Sequence, residues 1–231
     1  MLSPLSPLEA DALLLSLKVA FWAVLCSLPL GVMLAWILAR LDFPGKSLLD
    51  GLLHLPLVLP PVVIGYLLLV ALGRNGLIGK ILYENFGVSI AFTWKGAVAA
   101  SAVMAFPLLV RTVRLSLDAV DAKLEMAART LGAGPWRVFF TVTLPLSIPG
   151  IIAGMVLAFA RSLGEFGATI TFVSNIPGQT QTLPLALYTM TQVPNGEAAA
   201  MRLCLVAIAI ALLALIGANW LGKCFARHFE G

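Results

Sequence analysis

Five stretches of this sequence, roughly 19–39, 51–72, 96–117, 146–172 and 203–222, stay apolar for the length of a bilayer crossing. A helix needs about 20 apolar residues to traverse the hydrocarbon. Lipid offers no hydrogen-bond partners, so backbone N–H and C=O groups must be bonded within their own segment, which a helix does. The expected fold class is all-α: a polytopic membrane protein of about five transmembrane helices, one domain over 1–231. Composition agrees, with 60% of residues hydrophobic and 11% charged, against about 25% charged in soluble domains. Mean hydropathy is +0.99. A net charge of +4 points to acidic partners in a soluble domain, but in a membrane protein it is a topology signal. No nucleic-acid partner is expected.

Proline interrupts the first two runs. Pro29 lies in the first, and Pro56, Pro60 and Pro61 lie in the second. Each removes a backbone donor and crowds the preceding turn, so kinked or locally opened helices are expected. The third run opens with Gly96, Ala97, Ala99, Ala100, Ser101 and Ala102, small residues that let helices approach closely. Two apolar segments are too short to span. "GLIGKILYENFG" (76–87) has helical spacing with Lys80 and Glu84 four apart, as in a helix lying in the interface. "LPLALYTMTQV" (183–193), bounded by prolines, reads as a surface or re-entrant helix. No basic residue precedes Lys18 and no cleavage pattern follows a short apolar core, so the first run is expected to stay as an anchor. Cys26, Cys204 and Cys224, with His54 and His228, show no metal-ligand spacing. The chain is expected to bind no metal or cofactor.

Loop charge orients the spans. Loops 40–50 and 111–145 with the tail 223–231 hold nine lysines and arginines, whereas segments 1–18, 73–95 and 173–202 hold five. The positive-inside rule puts the first set in the cytoplasm, so the N-terminus is expected outside, in the periplasm, and the C-terminus inside. No internal repeat divides the runs, unlike the paired halves of secondary transporters. A closed pathway would then need a second copy of the chain.

"KLEMAARTLGAGPWRVFFTVTLP" (123–145) is polar and helix-forming in an otherwise lipid-soluble chain. Asp121 is a natural N-cap for a helix over 122–131, with Gly132 just past its end and Pro135 as the stop. Leu124, Ala127, Ala128 and Leu131 share one narrow side, while Lys123 and Arg129 point elsewhere. Such a face suits either docking into a shallow groove on a partner or lying in the membrane interface. Gly134 and Pro135 can start a second short helix, before Pro145 and Pro149 redirect the chain into the fourth span.

At these residues the sequence resembles a known family. "AARTLGAGPWRVFFTVTLP" is similar to the cytoplasmic EAA loop of permease subunits from bacterial ABC importers. That pattern is Glu-Ala-Ala, three residues, Gly, nine residues, Ile, any residue, Leu-Pro. Ala127, Ala128, Gly132, Val142, Leu144 and Pro145 match at that spacing. The glutamate position holds Met126, with Glu125 one residue earlier. "FPGKSLLD", "HLPLVLPPVVIGYLLL" and "FARSLGEFGATITF" extend the likeness from about Leu14 to Leu221. It is nearest the molybdate permeases, in a group that includes sulfate/thiosulfate and tungstate permeases. The longer form with an extra N-terminal span is not expected. The resemblance implies a type I permease fold, a bacterial inner-membrane location, and a coupling helix seated in a groove of a cytoplasmic ATPase. It also implies an assembly of two permeases, two ATPases that bind the ATP, and an extracytoplasmic binding protein that selects substrate. Glu125, Met126, Ala127, Ala128, Arg129 and Gly132 are the expected ATPase-coupling residues; either Glu125 supplies a polar contact from its displaced position or the contact is apolar.

The fourth span carries "ARSLGEFGATI", which places Arg161 and Glu165 four apart on one face. Charges in a bilayer are costly, so they are paired or face a water-filled interior. Arg161 and Glu165 are candidates for a gate or pathway, with a structural ion pair as the alternative. Glycines at 164 and 167 flank Glu165 and permit bending. Ser101, Ser162 and Thr169 are further pathway candidates, as hydroxyls able to give an oxyanion weak contacts. Arg111 and Arg114 read as snorkelling anchors at the cytoplasmic end of the third span.

Two other function classes are weighed. An ion-coupled transporter would switch the Arg161–Glu165 pair and work without an ATPase; the missing repeats and the EAA-like loop count against it. An intramembrane enzyme would need convergent catalytic groups, which two histidines and no acid pair do not supply. No GxxxxGK[ST] sequence occurs, so the chain is not expected to hydrolyse ATP.

Overall fold

The structure, a computed structural model, describes the backbone of residues 5–229 and the side chains of residues 5–217. Cys224, His228 and the basic residues expected in the tail lie outside the described side chains. Among the described residues every regular element is helical.

Helix α1 (Pro7–Arg40) starts well before the expected 19 because a capping box closes its first turn. Ser6 Oγ accepts from the Glu9 N–H, and the Glu9 carboxylate accepts from the Ser6 N–H. At 34 residues it is about 51 Å long, and it extends beyond hydrocarbon of about 30 Å.

The second run is two helices, α2 (Lys46–Val58) and α3 (Pro61–Leu72), whose axes turn by 112°. This exceeds the kink expected of one span over 51–72. Two prolines in succession, Pro60 and Pro61, remove consecutive donors, and Leu59 before them is extended at φ −73°, ψ 143°. Next come α4 (Leu77–Phe86) and α5 (Trp94–Asp118), the latter capped by Thr93.

After α6 (Ala122–Thr130) and α7 (Pro135–Val138), a π turn (Phe139–Thr143) leads into α8 (Leu144–Leu163). The stretch Pro135–Leu163 is continuous helix, so Pro145 and Pro149 do not redirect the chain as expected. The π turn explains Pro145: the Leu144 N–H reaches back five residues to the Phe139 carbonyl, and the wider register absorbs a missing donor. The span expected over 146–172 is also not one helix. It breaks at Gly164–Phe166 and resumes as α9 (Gly167–Val173). Helices α10 (Leu183–Gln192) and α11 (Glu197–Phe229) complete the chain.

The core forms around α5, which lies against α1 and α8. Leu109 of α5 is fully buried, and Gly31 of α1 and Gly154 of α8 make room for it. A Cβ on Gly31 would come within 2.9 Å of Leu109 Cδ2, and one on Gly154 within 3.3 Å of Cδ1. The small-residue patch at the start of α5 packs on α9, where a Cβ on Gly96 would meet Val173 Cγ1 at 2.6 Å. At that end of the bundle, α10 is docked rather than lying on the surface, with Leu183, Leu185 and Ala186 buried. Its first N–H, at Leu183, donates to Ser16 Oγ of α1 at 2.6 Å. An ion pair of 2.9 Å between Glu9 and Arg202 ties α1 to α11 beside it.

The two broken spans meet. A Cβ on Gly167 would lie 2.7 Å from Pro61 Cβ, and one on Gly65 would lie 2.6 Å from the Ala168 carbonyl oxygen. Glycine at 65 and 167 is what lets the α2–α3 break seat on the α8–α9 break.

Candidate functional site

The polar loop folds as its local sequence dictates. Asp121 Oδ1 accepts from the Lys123 N–H at 2.9 Å and starts α6. Gly132 ends it at φ +84°, in the left-handed region that glycine adopts without strain. The Gly132 and Ala133 N–H groups return to the Arg129 and Ala128 carbonyls at 2.9 and 3.1 Å.

Within α6 one side chain is buried, and it is Glu125. Its Oε1 accepts from Arg40 Nη2 at 2.8 Å, from Arg40 Nε at 3.2 Å and from Thr143 Oγ1 at 2.8 Å. Glu125 is thus turned into the protein, away from the outer side of α6. Around the rest of α6, Leu124, Met126, Ala127 and Arg129 are exposed and Ala128 is half-buried. Leu131 (89% exposed) and Trp136 (71%) continue the apolar surface past Gly132. Trp136 stacks on Trp36 of α1 at 6.4 Å, and Phe139 meets Trp36 edge-on at 5.8 Å, an aromatic cluster of the kind that suits a membrane boundary. The exposed surface of α6 therefore presents Leu124, Met126 and Ala127 together with Lys123, Arg129 and Thr130, and not the Glu125 carboxylate.

The gate candidates gather at the break in the fourth span. Arg161 Nη1 donates to Glu165 Oε2 at 2.7 Å, while Glu165 Oε1 accepts from the Ala168 N–H at 2.8 Å. The carboxylate therefore does two jobs: it neutralises Arg161 and caps α9. Thr169 uses its hydroxyl locally, donating to the Phe166 carbonyl at 2.8 Å. Ser162 and, on α5, Ser101 are buried with no hydrogen-bond partner on their hydroxyls among the described residues. Relative exposures of 1% for Ser101, 5% for Ser162, 2% for Glu165 and 0% for Thr169 place all four inside this copy of the chain.

Arg114 does more than snorkel. It pairs with Asp50 at 3.2 Å and with Asp118 at 3.7 Å. With His54 and the exposed Arg111 these residues line a cavity of about 400 Å³ at the start of α2 and the end of α5. Nearby, the hydrogen bond from the Lys46 ammonium and its charge hold the exposed Asp42 carboxyl below its ordinary range. Sequence reasoning missed Arg40, Thr143 and Asp50. No local pattern joins residue 40 to 125 or 50 to 114; only the meeting of α1 with α6 and of α2 with α5 does.

Known proteins share the sequence and the fold. The chain is 66% identical over 215 residues to the molybdenum transport system permease protein ModB of Escherichia coli (strain K12), covering 93% of this chain and 94% of the relative. It is 64% identical to the Haemophilus influenzae protein of the same name over 94% of each. A bacterial ABC transporter involved in the import of the acidic polysaccharide alginate superposes with a TM-score of 0.75 at 16% identity, over 94% of this chain and 80% of that one. This likeness establishes the helical ABC importer permease fold. Residues 27–230 match the family of binding-protein-dependent transport system inner membrane components, and the chain belongs to that family as a multi-pass membrane permease.

Proposed function

We propose that this permease moves molybdate inward across the bacterial inner membrane, as two copies joined to two cytoplasmic ATPase subunits and served by a periplasmic molybdate-binding protein. The observation that carries the substrate is the 66% identity to a molybdenum permease over nearly the whole of both chains. Sulfate and tungstate are also tetrahedral dianions, and they are the alternative cargo. ATP is bound and hydrolysed by the partner subunit. Alternating access is the two-state element, and binding of ATP to the partner pair biases it through α6 and α7.

The exposed surface of α6 and α7, where the apolar Met126, Leu131 and Trp136 lie with Arg129, supports the coupling role of Met126, Ala127, Ala128, Arg129 and Gly132, extended to Leu131 and Trp136. Glu125 acts from behind this surface. A pathway between two copies must be lined by residues exposed on one copy, which argues against Ser101, Ser162, Glu165 and Thr169 as lining groups. Arg161 and Glu165 are better read as the pair that holds the break between α8 and α9. The nine basic residues in loops 40–50, 111–145 and the tail support a periplasmic N-terminus and a cytoplasmic C-terminus.

Reconstitution tests this. In proteoliposomes holding the permease with its ATPase and binding protein, ATP-dependent uptake of radiolabelled molybdate is expected, outcompeting equimolar sulfate. Uptake by the permease alone would instead establish ion-coupled transport, and preference for sulfate would overturn the substrate.

A further inference from the structure

Helix α6 has nine residues, too few to hold a helix by backbone bonding alone, and its apolar side chains point outward. Among the described residues, its side-chain hydrogen bonds to the membrane helices run through the carboxylate of Glu125. Arg40, the last residue of α1, grips that carboxylate through Nε and Nη2, and Nη2 also donates to the Leu117 carbonyl at 2.9 Å. That carbonyl lies in the last turn of α5, where its backbone partner is the Val120 N–H at 3.3 Å and the guanidinium adds the shorter bond. Thr143, at the end of the π turn, adds the second donor to Glu125. Its own carbonyl accepts from Ser147 Oγ at 2.7 Å, and the Ser147 carbonyl accepts from Ser116 Oγ of α5 at 3.2 Å. One chain of hydrogen bonds thus joins α6 to the cytoplasmic ends of α1, α5 and α8.

From this we infer that Arg40 is a positioning residue for energy coupling: its guanidinium locks Glu125, and with it α6, to the ends of α1 and α5. Displacement of the ATPase-bound surface is then passed to the spans. The inference rests on the proposed reading of α6 and α7 as the ATPase contact. The planar fork explains arginine at position 40. It reaches a carboxylate and a carbonyl at once, whereas a lysine ammonium on a flexible stem holds this geometry poorly.

The experiment uses the whole transporter in proteoliposomes, measuring ATPase retention, ATP hydrolysis and molybdate moved per ATP. Arg40→Gln is expected to retain the ATPase and to lower molybdate moved per ATP by about tenfold, the scale of a residue on a coupling route. Arg40→Lys restores part of the loss, which a purely steric defect would not allow. Unchanged transport per ATP in Arg40→Gln overturns the inference. Should that variant fail to reach the membrane, Glu125→Gln, which keeps the side-chain shape and removes the charge that Arg40 grips, is read instead. A fall of about threefold is expected on the same scale, and no fall overturns the inference. Leu131→Asp separates the two layers of the argument. It is expected to release the ATPase, and retention there refutes the docking surface itself rather than the role of Arg40.

Discussion

Glu165 offers the sharpest test of what holds the broken fourth span. Its side chain is 1% exposed, against 27% for Arg161, and its two oxygens serve different partners. Glu165→Gln keeps an oxygen for the Ala168 N–H but loses the charge, whereas Glu165→Ala loses both. A hydrogen bond between charged groups contributes about 1.5–3 kcal/mol, and a helix N-cap about 1 kcal/mol. Alanine should therefore cost about 2.5–4 kcal/mol and glutamine about 1 kcal/mol less. For a chain of this size each kcal/mol lowers Tm by about 2–4 °C, so thermal unfolding in detergent should drop by roughly 5–15 °C for alanine. Arg161→Leu should cost at least as much, about 3–5 kcal/mol, because it strands a buried carboxylate. The measurement is Tm for the three variants beside molybdate uptake per folded transporter at a temperature well below every midpoint. A structural pair predicts falling Tm with uptake per folded molecule retained. Glu165→Gln with an unchanged Tm and abolished uptake would refute the structural account and make the pair a gate.

Two further expectations concern packing and topology. Gly51→Ala and Gly65→Ala should move Tm in opposite directions: nothing lies within 4 Å of a Cβ at 51, while one at 65 meets the Ala168 carbonyl at 2.6 Å. The first gains about 0.5–1 kcal/mol of helix stability and the second loses about 1–3 kcal/mol to overpacking; equal shifts would show that the two breaks are not in contact. With Cys26, Cys204 and Cys224 replaced, a membrane-impermeant maleimide on intact cells should label Asn85→Cys and not Asp42→Cys, and the reverse pattern would invert the proposed orientation.

What the sequence disclosed and what it hid follow the range of the physics involved. Asp121, Gly132 and the prolines at 60 and 61 act on backbone within a few residues, so the limits of α6 and the break in the second run are readable from spacing. The start of α1 is local too: Ser6 and Glu9 have capping-box spacing, although they precede the apolar run that begins at 19. Gly164 and Gly167 signalled bending, whereas the cap that makes a full break depends on where the Glu165 carboxylate turns. The direction of Glu125 was not legible. A carboxylate on a polar helix faces solvent by default, and what turns this one inward is a guanidinium 85 residues away. The same holds for Arg114, whose acceptor on Asp50 lies 64 residues back. Pairings between elements are set by how the helices meet, and no local periodicity encodes that.

The geometry joins the two candidate regions in one mechanical element. The helix over Pro135–Leu163, 29 residues with its π turn, is about 44 Å long and carries the proposed coupling surface at one end and the break at Gly164–Phe166 at the other. Close-packed interfaces are bistable rather than continuously deformable, so a displacement at Trp136 is not dissipated within the rod. It arrives where Gly167 seats on Pro61, the contact between the two broken spans. On the proposed mechanism that contact is where a tilt of the rod alters the exposed α2–α3 surface, because α3 seats directly on α9 there, with Gly65 against Ala168 and Ile64 buried in the same cluster as Ala168 and Phe172. The node at Glu125 then has a defined mechanical task. It fixes α6 to the near end of the rod through Thr143 and to α1 and α5 through Arg40, so that the proposed ATPase contact would pull on three membrane helices together and not on a hinged loop.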